Sequence, residues 1–247
     1  MGMTITGGIT FAGGMTMTAL PAAANGSALF NGTTQYLSLA TNAALNFGTG
    51  DFTVEGWVLP NSLANDSFII SAAGSGGFFF GQSPNSPNGW GWGRAEVAWD
   101  YRVAGNATVG VWQHVAVTRS GTSMRLFVNG TQSGVTQTIA TAYNLGTTST
   151  TVGSQGTNYY LNGNISNLRV VKGVAVYTAN FTPSTTNLTA TQSANINGNP
   201  SAAISGAQTS LLLNTYSGAG FLTDASTNAF VLTNVNTVTS SALTPFT

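Results

Sequence analysis

Cysteine is absent from this chain of 247 residues, which excludes disulfide staples, thiolate metal sites and thiol nucleophiles. Charge is nearly absent too: Asp, Glu, Lys and Arg make up 5 % of the residues, where soluble proteins ordinarily carry roughly 25 %. Six basic and six acidic residues cancel, so no field draws the chain to phosphate backbones or anionic lipid, and neither nucleic acid nor a membrane is an expected partner. A single histidine, His114, rules out imidazole clusters around a metal. No apolar run is long enough for a membrane helix, and the first residues lack the basic and continuous apolar regions of a secretory signal. With so few charges to keep monomers apart, much of the surface is expected to be covered in an assembly, with further copies of itself among the partners.

What is present is Gly, Ser, Thr and Asn around short apolar runs. Residues 1–24 alternate Thr with Gly, Ala and Met and read as an extended N-terminal arm. Residues 25–247 read as one all-β sandwich, since turn residues recur between short alternating segments and none keeps a helical period. Ala28–Phe30 and Gln35–Leu39 flank Asn31-Gly32, a hairpin signal. Phe52–Leu59 puts Phe52, Val54 and Val58 on one face and Thr53, Glu55 and Trp57 on the other. Further strands are expected at Phe68–Ser71, Gly77–Gly81, Glu96–Val103, Val111–Thr118, Met124–Val128 (closed by Asn129-Gly130), Thr150–Gly153, Gly163–Val171, Ser210–Asn214 and Ala229–Thr233. Residues 190–208 are poor in bulky side chains and read as a long surface connection, after which the C-terminal strands return to the sandwich.

The segment from Trp112 to Gly130, WQHVAVTRSGTSMRLFVNG, resembles the strand pair of laminin G-like domains, as do SALFNGTTQYLSLA, FGTGDFTVEGWVLP and LNGNISNLRVVKGVAVYTANFTP in their order along the chain. The resemblance covers roughly Ser27 to Pro183 and implies the concanavalin A-like jelly-roll sandwich of antiparallel strands. In style, with its VYTANFTP segment and its ending, the chain is similar to laminin G-like modules in structural proteins of tailed bacteriophages. That implies a non-enzymatic virion protein, a capsid decoration or tail-fibre module made in the host cytoplasm without a signal peptide and held by other virion proteins. The alternative is an adhesin that binds polysaccharide, and a glycoside hydrolase ranks third.

Hydrolysis on this fold would need paired carboxylates. Glu96 and Asp100 lie four residues apart in an expected strand, which separates them by roughly 13 Å at about 3.3 Å per residue. Retaining enzymes need about 5 to 5.5 Å and inverting ones about 6.5 to 9.5 Å, and Asp51 with Glu55 meets the same objection. His114 sits inside a strand and reads as a packed residue, so no catalytic residue is assigned. Relatives of the fold bind calcium through loop oxygens, and Asp66 with Asn65, or Asp224, are the candidates, but their spacing makes no calcium loop and no cofactor is expected. The distinctive local feature is NGWGWGRAEVAWDYR. Trp90 with Trp92, and Trp99 with Tyr101, share a face if the chain is extended, and such aromatics stack on sugar rings with Asn88, Arg94 or Asp100 hydrogen-bonding beside them. The first expectation for the same aromatics is core or inter-subunit packing, with sugar stacking second.

Overall fold

The computed structural model describes residues 26–85, 88–214 and 222–246, together with the backbone of Ile9–Thr10 and Thr16–Met17. In chain order the strands are β1 (Ile9–Thr10), β2 (Thr16–Met17), β3 (Ser27–Asn31), β4 (Tyr36–Leu39), β5 (Asn46–Gly48), β6 (Phe52–Pro60), β7 (Ser67–Ala72), β8 (Phe78–Ser83), β9 (Gly89–Arg94) and β10 (Ala98–Val103). They continue with β11 (Gln113–Ser120), β12 (Ser123–Val128), β13 (Thr131–Thr138), β14 (Tyr143–Asn144), β15 (Thr150–Val152), β16 (Asn162–Lys172), β17 (Thr209–Leu213), β18 (Thr233–Val235) and β19 (Thr239–Ser241). Among the described residues the only helical pieces are single 3-10 turns at Ala43–Leu45, Ile196–Gly198 and Gly206–Gln208. The expected N-terminal arm lies outside the described residues, except that β1 and β2 pair with each other.

Two antiparallel sheets face one another. One has the spatial order β10-β9-β8-β7-β15-β4-β18, and the other β13-β12-β11-β6-β16-β3-β19, with β17 also on β16. The core between them takes Phe52, Val54 and Val58 from β6, Val115 and Val117 from β11, and Ile165, Leu168 and Val170 from β16. The opposite sheet contributes Phe78 and Phe80 from β8 and Trp90 and Trp92 from β9. Period-two alternation therefore decides the core, and burying these large side chains is the main source of stability.

Three expectations are corrected. Asn31-Gly32 does not close a hairpin: β3 pairs with β16 and β4 with β15, so the turn carries the chain from one sheet to the other. Its geometry is local all the same, since Asn31 Oδ1 accepts from the backbone N–H groups of Thr33, Thr34 and Gln35. Ala229–Thr233 is not a strand. The pairing falls later, at β18 on β4 and β19 on β3, so the C-terminal segment adds an edge to each sheet. Finally, the first expected residues of Glu96–Val103 form a turn, with Glu96 at φ +59°, and strand pairing starts at Ala98.

The outer face of the eight-stranded sheet is closed by the chain that follows β16. Val176, Tyr177, Phe181 and Ile204 pack on Ala116, Phe127 and Val171. Under this cover lies Glu55, with no solvent exposure. A bulge in β16 brings its counter-ion: Trp57 pairs with Ser166 but Glu55 with Arg169, so β16 spends one extra residue there, at Asn167 with φ +54°. The extra residue flips the alternation and aims Arg169 outward beside Glu55. Arg169 Nε and Nη2 donate to Glu55 Oε1 at 2.8 and 2.6 Å, Tyr177 Oη donates to Oε2 at 3.0 Å, and His114 Nε2 lies 3.2 Å from Oε2.

Burial by itself would raise the Glu55 pKa, but the Arg169 charge and the His114 contact outweigh it and lower the carboxyl from 4.5 to about 2. Tyr177 moves the other way, well above its ordinary range, because burial and the Glu55 charge favour the neutral phenol. A carboxyl lowered on folding contributes stability that is complete above its unfolded value and disappears as pH falls through its folded one. Calorimetry should accordingly show the melting temperature falling between pH 4.5 and about 2, with on the order of 3 kcal/mol at stake. Glu55→Gln should flatten that acid limb. In the core, Trp92→Ala should cost about 3–5 kcal/mol in urea unfolding.

Candidate functional site

The sequence GWGWGR makes β9 alternate Trp with Gly, and the register with β8 turns both tryptophans inward and the glycines outward. The glycines let flat side chains lie directly on the sheet. A Cβ at Gly93 would stand 2.6 Å from Phe79 Cζ, and one at Gly81 2.6 Å from Phe68 Cδ1. Phe68 and Phe79 stack at 4.2 Å and 3°, Tyr159 stacks on Phe68 at 5.1 Å, and Trp99 meets Phe79 and Phe68 edgewise at 4.7 and 5.6 Å. Arg102 lies over Trp99 at 5.2 Å and donates from Nη1 to Ser83 Oγ. Beneath this cover Phe68 and Phe79 are almost fully buried, whereas Tyr159 remains 45 % exposed.

Three remote segments converge around these rings on a cleft of about 300 Å³, lined by Asp66, Arg94, Glu96, Trp99, Gln155 and Tyr159. The turn at Gln155–Asn158 is closed by two backbone hydrogen bonds, and Phe68 N–H donates to Tyr159 O at 3.1 Å, which fixes the Tyr159 ring against β7. Tyr159 and Glu96 both hold left-handed backbone, φ +53° and +59°, at a cost on the order of 1 kcal/mol each. A second cleft of about 460 Å³ shares Asp66 and Tyr159 and adds Asn65, Asn85 and Tyr160, so the Tyr159 ring forms a ridge between the two.

The polar groups here are unspent. Gln155 is 4 % exposed, yet its side-chain amide makes no hydrogen bond within the protein, and Asp66 Oδ1 is buried without a partner. Arg94, by contrast, is committed: Nε and Nη2 grip Asp100 at 3.0 and 2.8 Å, and that hydrogen-bonded partner raises the guanidinium pKa further. Tyr143 Oη donates to the same carboxylate at 2.8 Å, and burial together with Asp100 pushes the phenol up. With Arg94 neutralised, Asp66 and Glu96 leave the cleft acidic.

The two-sheet order and this aromatic outer face accompany a match of residues 31–178 to the laminin G profile of the concanavalin A-like lectin/glucanases superfamily. The chain belongs to the concanavalin A-like lectin/glucanases superfamily. Among solved structures it is similar to a Bacteroides ovatus protein provisionally assigned as carbohydrate-binding, at 13 % identity and TM-score 0.61. That superposition covers 95 % of this chain and 65 % of the other, so the chain spans slightly less than two thirds of its neighbour. A heptameric SAP-like pentraxin from Limulus polyphemus gives 17 % identity over 63 % of this chain and 80 % of the other, with TM-score 0.48. Domain 4 of a Geobacillus stearothermophilus arabinanase, solved with arabinotriose, gives 17 % identity over 60 % and 70 % with TM-score 0.44. At these identities the likeness is one of fold, and no curated protein matches the chain.

Within this superfamily fold the residues expected at a sugar site separate. Trp90 and Trp92 have no exposure and cannot meet a ligand: the strand alternation sends both rings into the core, where Trp90 Nε1 donates to Gln113 Oε1. Tyr101 packs on Trp92 at 4.9 Å and its hydroxyl accepts from Val135 N–H across the open side of the sandwich, so it too is structural. Asn88 is exposed at φ +49°, at the far end of β9, where its carbonyl accepts from Ala107 N–H. Trp99 and Arg94 do line the cleft, and so do Asp66, which the sequence reading named only as a calcium candidate, and Gln155 and Tyr159, which it did not name. The neighbouring pair Tyr159-Tyr160 is a signal that could have pointed there.

The other candidates are occupied. Asp100 is held by Arg94 and Tyr143, Asp51 accepts from Gly121 N–H, and Glu55 lies under its cover. His114 packs between Trp57 and Phe181, and no serine is among its hydrogen-bond partners. Asp224 accepts four hydrogen bonds, from Leu212 N, Ser226 N, Ser226 Oγ and Phe230 N, which leaves it a loop organiser and not a free ligand for calcium. Among the described residues no three His, Asp or Glu side chains converge on one point.

Proposed function

We propose that this protein is a carbohydrate-binding module that holds a saccharide in the cleft between Trp99 and Tyr159 without turning it over. The observation that carries the reading is Asp66 Oδ1, buried without a partner, together with a Gln155 amide that makes no hydrogen bond within the protein, both beside an aromatic wall. Leaving Asp66 Oδ1 buried without a partner costs about 1–3 kcal/mol, and sugar hydroxyls supply it a donor while offering the Gln155 amide both a donor and an acceptor. Exposed aromatic rings supply the apolar contact that a pyranose face requires. Similarity to the Bacteroides ovatus protein supports the same class of ligand.

The cleft's charge narrows that class. Asp66 and Glu96 face it without a free cation, so uncharged glycans are favoured over sulfated or uronic ones. Two clefts divided by Tyr159 fit at least two sugar rings, one on either side of the ridge.

The setting we propose is a bacteriophage virion surface, where a capsid or fibre module of this kind meets host or environmental polysaccharide. Its support is the resemblance of sequence style and a composition with only 5 % charge, suited to a chain whose surface is shared with neighbours. Mass spectrometry of purified particles tests this setting, and absence of the protein from them would reject it.

Binding to an array of neutral and acidic polysaccharides tests the module itself. The expected outcome is a response to neutral glycans that weakens about tenfold with Tyr159→Ala or Trp99→Ala, and a gain of acidic ligands with Asp66→Asn. Ligand recovered undegraded after long incubation agrees with pure binding. An array with no response, or a response indifferent to Tyr159 and Asp66, would sink the reading.

A further inference from the structure

On the opposite side of the molecule, the cover over the eight-stranded sheet does not fill its space. Between it and the sheet lies a pocket of about 330 Å³ with Arg169 and Tyr177 at its floor and Thr186, Asn187, Asn199 and Ser201 among its walls. Those walls are held in place from several directions. Thr182 N–H donates to Asn199 Oδ1 at 2.8 Å and Asn199 Nδ2 donates back to Thr182 O at 2.9 Å. Leu188 N–H donates to Asn167 Oδ1 at 2.7 Å, tying the wall to the bulge in β16. The cavity is thus shaped by the same residues that build the buried ion pair.

Its chemistry is that of a site with open valences. Ser201 is 6 % exposed and its hydroxyl, in the pocket wall, has no partner. Asn187 Oδ1 accepts from Asn167 Nδ2, and no hydrogen bond is made by its own Nδ2. Arg169 uses four of its five N–H groups, one from Nε and one from Nη2 on Glu55 Oε1, one from Nη1 on Thr189 O, and one from Nη2 on Gln192 Oε1. One N–H on Nη1 remains.

From this inventory we infer a second ligand site, independent of the glycan cleft, that takes a small uncharged molecule rich in hydroxyl groups. An anion fits poorly. The guanidinium edge that would grip it in two places is already on Glu55, whose negative charge lies directly behind. An apolar ligand would leave Ser201 and the Arg169 N–H stranded in a wall made largely of Thr, Ser and Asn side chains. A single polyol or monosaccharide satisfies all three groups, and the volume is at the lower end of small-molecule sites, roughly 300–1,000 Å³.

Titration of the ¹⁵N-labelled full chain with glycerol, glucose, N-acetylglucosamine and inorganic phosphate tests the inference by NMR. The expected result is saturable shifts in the amides of residues 182–201 with one or more of the three uncharged probes, in the millimolar range usual for so few contacts. Ser201→Val should weaken that binding about three- to tenfold by deleting one hydrogen bond. Thr186→Phe, at an exposed position of the pocket wall, should obstruct it while leaving the fold intact, and decides the matter if Ser201→Val does not fold. Tyr159→Ala should leave the shifts unchanged. The inference is overturned if no uncharged probe gives saturable shifts there, if the obstructing variant binds as well as the parent, or if phosphate binds more tightly than every polyol. Failure of the glycan cleft would register at Asp66, Gln155 and Tyr159, so the two outcomes read out at different residues.

Discussion

The rest of the structure depends on a buried carboxylate. Glu55 sits on the outer face of a central strand, where an ionised group without partners would cost several kcal/mol. Its neutralisation needs Arg169 on the same face, and a regular β16 would have pointed Arg169 into the core. The extra residue at Asn167 reconciles the two demands, and Asn167 then holds Leu188 and Asn187 in the segment above. Tyr177, Thr189 and Gln192 complete the cover by bonding to the ion pair. A long, polar, weakly hydrophobic stretch thereby becomes ordered by hydrogen bonds where apolar burial alone would not hold it.

This arrangement gives the two sheets different work. The eight-stranded sheet is shielded on both faces, by the core and by the segment that follows β16. The seven-stranded sheet carries its aromatic side chains on an open face, paved over glycines, and the loops at Asp66, Glu96 and Gln155–Tyr160 rise around it. The cleft combines Asp66 Oδ1, buried without a partner, with left-handed backbone at Glu96 and Tyr159, so local rules of hydrogen bonding and backbone preference are both broken in its lining. Saccharide binding is proposed there because that combination is what a sugar completes.

Trp90 and Trp92 show what parity leaves open. Their spacing established that they share a face, and nothing local says which face. Gly89, Gly91 and Gly93 were the missing clue, because a strand that alternates Trp with Gly can bury only its tryptophan side profitably in a sandwich core. Trp99 falls on the outer face because the register slips between Trp99 and Tyr101, a shift at an edge strand that no spacing rule anticipates.

By itself the sequence determined the class of fold and most strand positions, because alternation, Asn-Gly turns and the lack of a helical period are local properties. It determined as well that disulfides and imidazole clusters have no part in the structure, since cysteine is absent and histidine single. Only the tertiary structure decided that Asn31-Gly32 bridges two sheets, that the C-terminal strands edge both of them, and that Asp66, Gln155 and Tyr159 meet beside Trp99. Those residues come from loops up to about ninety positions apart in a chain whose polar residues look alike. Which of them keep unsatisfied hydrogen-bonding groups is fixed by packing, a property no single segment carries.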